Sequence, residues 1–231
     1  NSWDMHMLEE MGKIIGSEME KFHVHLWLAP GMNIHRNPLC GRNFEYFSED
    51  PVLSGLCALN EMKGVQSFPG LGVTLKHFFC NNNEDNRMFI NEHVNERAMR
   101  EIYLRNFQIP VEEGKPYSIM TSYNLVNGYH TPNHKEVLQK VVHNEWGYEG
   151  MIMTDWCITM ESTYAIAKSE PKYKIASSRE CINCGNDLQM PGCVENEQDI
   201  IKGVEEGAVK IEDLQACALR VLKCCYLCQK K

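Results

Sequence analysis

The sequence has no Lys/Arg-rich run, and its acidic residues outnumber the basic ones, 31 against 23. A chain with no cationic track to neutralise phosphates is a poor fit to nucleic acid or to an anionic membrane, so neither is expected as a partner. No apolar run approaches the ~20 residues of a membrane-spanning helix, and no signal peptide is visible. The second absence carries little weight, because the chain begins at Asn1 rather than Met. No glycine fingerprint stands at a strand-to-helix turn, which counts against a dinucleotide-binding doubly wound sheet. A Ser/His/Asp order and a phosphate-cradling loop are missing too. Cysteine is abundant, but its 11 copies are odd in number and lack framework spacing. That usage fits a reducing compartment and favours a cytoplasmic location over a secreted disulfide scaffold.

At 231 residues, 43% hydrophobic and 23% charged, the chain is sized for one domain core spanning residues 1–231. Helix signals recur along it. Asp50 before Pro51 opens a pattern of Leu53, Leu56, Leu59 and Met62 that closes near Gly64. Asn91 precedes Val94, Ala98 and Ile102 on one face. Asn133 with Glu136 forms a capping-box variant ahead of Val137, Leu138, Val141 and Val142. Ser2 stands before Leu8, Met11, Ile15 and Met19. Between the helices lie five short strand-like runs: "LWLAP" (26–30), "VTLKHF" (73–78), "YSIMTSYN" (117–124), "GMIMTDW" (150–156) and "NDLQM" (186–190). Strand alternating with helix predicts an α/β fold with a parallel sheet. Without the doubly wound signature, the expected architecture is a (β/α)8 TIM-type barrel. Five strands where eight are needed, in a chain below the usual length of about 250 residues, make it an incomplete one.

Two C-x-x-C pairs, Cys181/Cys184 and Cys225/Cys228, match half-sites of a zinc knuckle. Against zinc, Leu214, Cys217, Ala218, Val221, Leu222, Cys225 and Cys228 recur at helical spacing, which reads as a stripe of small core residues. No metal or cofactor is expected. A zinc-stabilised structural domain is the competing interpretation.

Polar residues gather at the strand ends, where barrel enzymes keep their chemistry. Arg42 follows the first strand, Lys76 and His77 close the second, Tyr123 and Asn124 the third, and Asp155 and Trp156 the fourth. Each has an ordinary structural explanation: an ion-pair network around Arg42 with Glu45, Glu49 or Asp50, a core histidine at His77, a turn at Asn127-Gly128 after Tyr123, a helix cap at Asp155. Their joint placement is what favours a site. One carboxylate, two cations, a histidine and aromatic rings suit a neutral ligand rich in hydroxyls, since charged groups make strong directional hydrogen bonds and an indole stacks on the apolar face of a sugar ring.

Six stretches, "PLCGRNFEYFSEDP", "TLKHFFCNNNEDNR", "NERAMREIYLRNF", "MTSYNLVNG", "NEWGYEGMIMTDW" and "CGNDLQMPG", occur in the order found in glycoside hydrolase family 3. The sequence resembles that family, the β-glucosidase family, over nearly its whole length; Cys157 to Ser178 is the least characteristic stretch. The resemblance implies that Asp155 is the catalytic nucleophile of the Ser-Asp-Trp motif, with Thr154 in place of the usual serine. It implies that Trp156 packs on the sugar, that Arg42, Lys76 and His77 bind hydroxyls of the nonreducing-end glycosyl unit, and that Tyr123 stands near the nucleophile. The expected activity is retaining hydrolysis of oligosaccharide or aryl β-glucosides. A β-xylosidase of the same family and a noncatalytic carbohydrate-binding fragment are the alternatives. In two-domain relatives the acid/base glutamate comes from a domain following the barrel, so a missing second domain is expected to supply it here. Glu84, Glu161 and Asp187 lie near strand ends, but no motif marks them as the acid. A hexosaminidase-type histidine in a "KHFPGHG" loop is absent; "FFCNNNED" follows Lys76-His77 instead. The family's first barrel strands, with a further sugar-binding aspartate, are expected ahead of Asn1.

Overall fold

The computed structural model describes residues 3–167 and 171–229. Its centre is a parallel sheet of β1 (Leu26–Trp27), β2 (Gly72–Phe78), β4 (Ser118–Thr121) and β7 (Met151–Met153), paired in chain order. A parallel bridge from Met153 to Leu188 adds the fifth strand position. All five strand-like runs therefore enter one sheet. Neighbours follow one another without the reversal that a doubly wound sheet makes at its switch point, so the sheet is the wall of a TIM-type α/β barrel. The short strands β3 (Asn91–Glu92), β5 (Leu125–Val126) and β6 (Tyr129–His130) form a separate three-stranded ribbon. Asn127 and Gly128, both at positive φ, make the two-residue turn between β5 and β6 that the Asn-Gly pair predicts.

Helices cover one face of the sheet. Helix α1 (Met5–Lys21) is capped by the Asp4 side chain; the cap expected at Ser2 lies outside the described residues. Helix α2 (Pro51–Gln66) begins where predicted, with the Asp50 carboxylate accepting from the Val52 and Leu53 amides. It is buried nearly all round rather than along one stripe, because α1 packs on it through a backbone contact. A Cβ on Gly64 would stand 2.7 Å from the Gly12 Cα, and one on Gly12 would stand 2.1 Å from the Glu61 carbonyl oxygen.

Two expected caps are corrected. Asn91 lies in β3, where its Oδ1 accepts from the Gly128 amide; the following helix, α3 (Glu96–Ala98), is capped by Asn95 and runs on through a wide turn at Met99–Tyr103 into α4 (Arg105–Gly114). Asn133 caps nothing. Its side chain instead clamps the backbone N–H and C=O of Ser177, and the helix over Glu136–Glu145 starts from Lys135 without a side-chain cap. Val137, Leu138, Val141 and Val142 nevertheless face the core as expected.

The chain continues through α5 (Ser162–Ile166), α6 (Ser178–Cys184), α7 (Val194–Glu205) and α8 (Ile211–Cys228). On α8 the inward stripe is Leu214, Cys217, Val221, Cys224 and Cys228. The expected stripe is thus too wide: Ala218, Leu222 and Cys225 face solvent, and Cys224 takes a buried place. Cys181 and Cys184 are buried on α6. Among the described residues no helix is long and apolar enough to cross a membrane.

Candidate active site

Asp155 follows β7, and the ladder continues past the strand to hold it. The Thr154 amide donates to the Leu188 carbonyl at 2.9 Å, and the Asp155 amide to the Thr121 carbonyl at 3.1 Å. The Thr154 hydroxyl accepts the Met190 amide at 2.9 Å. The carboxylate is thereby fixed at the C-terminal end of the sheet with only 4% of its residue surface exposed. Its Oδ1 accepts the Trp156 amide at 2.7 Å, while its buried Oδ2 has no hydrogen-bond partner among the described residues.

The carboxylate opens on a cleft of about 210 Å³ lined by Leu28, Arg42, Lys76, His77, Arg87, Met120, Tyr123 and Trp156. Six of the seven strand-end residues singled out in the sequence therefore face one space. Trp156 is half-exposed at its mouth, and Tyr123 is buried beneath it. Asn124, also named as a strand-end residue, turns away and donates to the Phe79 carbonyl.

Lys76 and His77 occupy the cleft because β2 breaks register against β4 between Leu75 and Phe78. Asn33, deeply buried, bridges the break. Its Oδ1 accepts the His77 amide and its Nδ2 donates to the His77 carbonyl, both at 2.8 Å. Arg42 Nη2 donates to His77 Nε2 at 2.8 Å. A nitrogen that accepts from a guanidinium carries no hydrogen of its own, so the ring proton sits on Nδ1, 3.5 Å from the Tyr46 hydroxyl. Burial, reinforced by the Arg42, Lys76 and Arg87 charges, holds the His77 pKa well below the usual histidine range. His77 is therefore a neutral imidazole beside the carboxylate, its Nε2 3.8 Å from Asp155 Oδ2.

Burial raises the Asp155 pKa, opposed by the Trp156 amide, the Arg42 charge, the Tyr123 hydroxyl and the Arg87 charge. Burial lowers that of Lys76, with Glu45 opposing. Tyr123 is raised by burial and then by the Asp155 charge, which keeps its hydroxyl protonated. The result is a buried carboxyl group with one oxygen pinned by the Trp156 amide, set among the Tyr123 hydroxyl and the cationic groups that line the cleft.

Arg87 is the cleft residue that the sequence reading missed. It lies in a loop after β2, its guanidinium 5.0 Å over the Tyr123 ring and 3.1 Å from Glu84. A basic residue nine positions past a strand end has no spacing signal; only the fold brings it back. Asp187 and Glu84, noted as acids near strand ends, are held by Arg220 and Arg87 respectively.

The chain is 38% identical over 224 residues to β-glucosidase B of Emericella nidulans, covering 96% of this chain and 24% of that protein. It is 36% identical to thermostable β-glucosidase B of Acetivibrio thermocellus, covering 98% and 28%. Among solved structures it resembles β-glucosidase 3B of Thermotoga neapolitana, determined in complex with glucose, at a TM-score of 0.85 and 44% identity, over 96% of this chain and 30% of that one. The Bifidobacterium adolescentis β-glucosidase superposes with a TM-score of 0.87 at 35% identity, over 99% and 31%. The chain thus spans about a quarter of the length of the curated relatives it matches. The model of the glycosyl hydrolase family 3 N-terminal domain matches residues 1–224, and with a barrel wall that ends in a buried carboxylate, the chain belongs to glycosyl hydrolase family 3.

Proposed function

We propose that the cleft is the glycosyl subsite of a retaining β-glucosidase and that Asp155 is its nucleophile. The observation that carries this reading is the division of labour within one carboxylate. Oδ1 is pinned by the Trp156 amide, and Oδ2 is left without a hydrogen bond facing the cleft. A nucleophile needs a lone pair that no protein donor occupies, at a fixed position.

In the proposed reaction Asp155 Oδ2 attacks the anomeric carbon of a terminal β-D-glucosyl residue. The bond from that carbon to the leaving oxygen breaks through an oxocarbenium-like transition state, and a covalent glycosyl-enzyme forms. Arg42, Lys76 and Arg87 donate to sugar hydroxyls, His77 offers a neutral ring, and the Trp156 indole lies against the apolar face of the sugar. A general acid must protonate the leaving oxygen and then, as a base, activate the water that releases glucose. Retaining geometry requires that carboxyl about 5 Å from the nucleophile. Glu45 and Glu84 near the cleft are tied to Arg42 and Arg87. We therefore assign the acid/base to a segment outside this chain, in keeping with relatives several times its length.

The test is intact-mass spectrometry of the chain after incubation with a 2-deoxy-2-fluoroglucoside bearing a good leaving group, which needs little acid assistance. Addition of one fluoroglucosyl unit, absent in Asp155→Ala, is expected. An adduct that persists in Asp155→Ala would overturn the assignment of the nucleophile. If a 2-fluoroxyloside labels the chain and the glucoside does not, the β-xylosidase alternative replaces it. Glucose binding without any adduct would favour a carbohydrate-binding role.

A further inference from the structure

Arg42, Lys76 and His77 are organised by the carboxylate of Glu45, which the sequence offers only as one of three ion-pair candidates around Arg42. Glu45 Oε1 accepts from Arg42 Nε, and its Oε2 lies 3.9 Å from Lys76 Nζ. Glu45 ends a single 3-10 turn (Asn43–Glu45) that Tyr46 closes. The turn seats against the sheet where a side chain is missing. A Cβ on Gly31 would stand 3.1 Å from Glu45 Oε2 and 3.2 Å from the Tyr46 ring, and Gly31 is itself bridged to Lys76.

A guanidinium is planar, so fixing Nε fixes the direction of both terminal nitrogens. With Nε on Glu45, Arg42 Nη2 is aimed at His77 Nε2 at 2.8 Å. That contact determines which ring nitrogen keeps its hydrogen. On the far side the Tyr46 hydroxyl faces Nδ1 and accepts from Asn81 Nδ2 at 3.3 Å. Glu45 also counters two cations whose charges Asp155 already attracts. Released from Glu45, either one is free to turn toward the nucleophile and occupy its open oxygen.

We propose that Glu45 is the positioning residue of this site: it orients Arg42 and Lys76 together and, through Arg42, fixes the tautomer of His77. The proposal rests on the glycosyl-subsite reading for its consequence but not for its geometry, and the test separates the two.

The experiment is long-range proton–nitrogen NMR on the uniformly labelled chain, with His77 assigned by His77→Gln. Unsubstituted protein is expected to show His77 as the Nδ1–H tautomer with an accepting Nε2. Glu45→Gln, which keeps the volume and removes the charge, is expected to move His77 toward Nε2–H and to weaken glucose, titrated against the chain, about tenfold. Glu45→Asp, charged but shorter, should recover part of that loss. An Nε2–H His77 in the unsubstituted chain overturns the proposal, as does an unchanged tautomer in folded Glu45→Gln. If Glu45→Gln does not fold, the unsubstituted spectrum and Glu45→Asp decide. Failure of the chain to bind glucose, with the tautomer responding as expected, would reject the glucosyl reading and leave the positioning role standing.

Discussion

Arg220 on α8 holds both oxygens of the Asp187 carboxylate, with contacts of 2.6 to 3.0 Å to a side chain that has no exposed surface. Asp187 Oδ2 also accepts the Ile152 amide at 2.8 Å. One carboxylate therefore joins the last helix to the β7 edge of the sheet, a few residues ahead of Asp155.

Removing one partner of such a pair strands the other in the interior. Arg220→Met is expected to cost about 3–5 kcal/mol, because the carboxylate remains buried without its counter-charge. Adding Asp187→Asn to that variant should recover part of the loss. Urea denaturation followed by circular dichroism measures both, and a loss below 1 kcal/mol for the single variant would show that the pair is not holding α8.

Glu61 gives a stability that depends on pH. It lies on α2 beside the α1 crossing, and burial pushes its pKa up to about 7. A carboxyl whose folded pKa is raised favours the fold below its unfolded pKa near 4.5, and that advantage disappears as pH rises through about 7. Glu61→Gln should therefore be nearly indistinguishable from the parent at pH 4, below the unfolded pKa, and more stable by roughly 1–3 kcal/mol at pH 8. Equal stability of the two proteins at pH 8 would contradict it.

Asp155 carries the same sign at the site itself. Its pKa is raised by burial, so its ionised form opposes folding at neutral pH. Asp155→Asn keeps an acceptor for the Trp156 amide and removes the buried charge. The melting temperature is expected to rise at pH 7, by ~2–4 °C for each kcal/mol recovered, and the gain should shrink as the pH is lowered through the carboxyl range. Fluoro-sugar labelling should be lost in the same protein. A variant that is both inactive and less stable at pH 7 would mean that the carboxylate is structural.

The sheet was legible because its strands are short apolar runs punctuated by turn residues, a pattern that survives without tertiary information. Helix starts were legible where a cap acts locally, as at Asp50. They failed at Asn91 and Asn133, because an asparagine side chain has both a donor and an acceptor and distant backbone claimed them, Gly128 in one case and Ser177 in the other. The α8 stripe was too wide because cysteine and leucine are spread almost evenly around that helix. Arg42, Lys76, His77, Tyr123, Asp155 and Trp156 were found from strand ends and motif order, and they do share one cleft. Arg87 and Asn33 were not, since each is brought to the site by a loop whose path no spacing records; Glu45 was legible only as one of three ion-pair candidates around Arg42, the one that the structure selects.

The break in β2 has a consequence for grip. Along a regular strand, neighbouring side chains leave on opposite faces, so Lys76 and His77 would be divided between the cleft and the helix layer. The irregularity between Leu75 and Phe78 lets both line the cleft, with the Asn33 side chain standing in for the ladder at His77. The barrel thus presents two adjacent fingers from one strand, a grasp that its own pleat forbids. Substitutions at Asn33 are expected to move Lys76 and His77 together without altering either side chain.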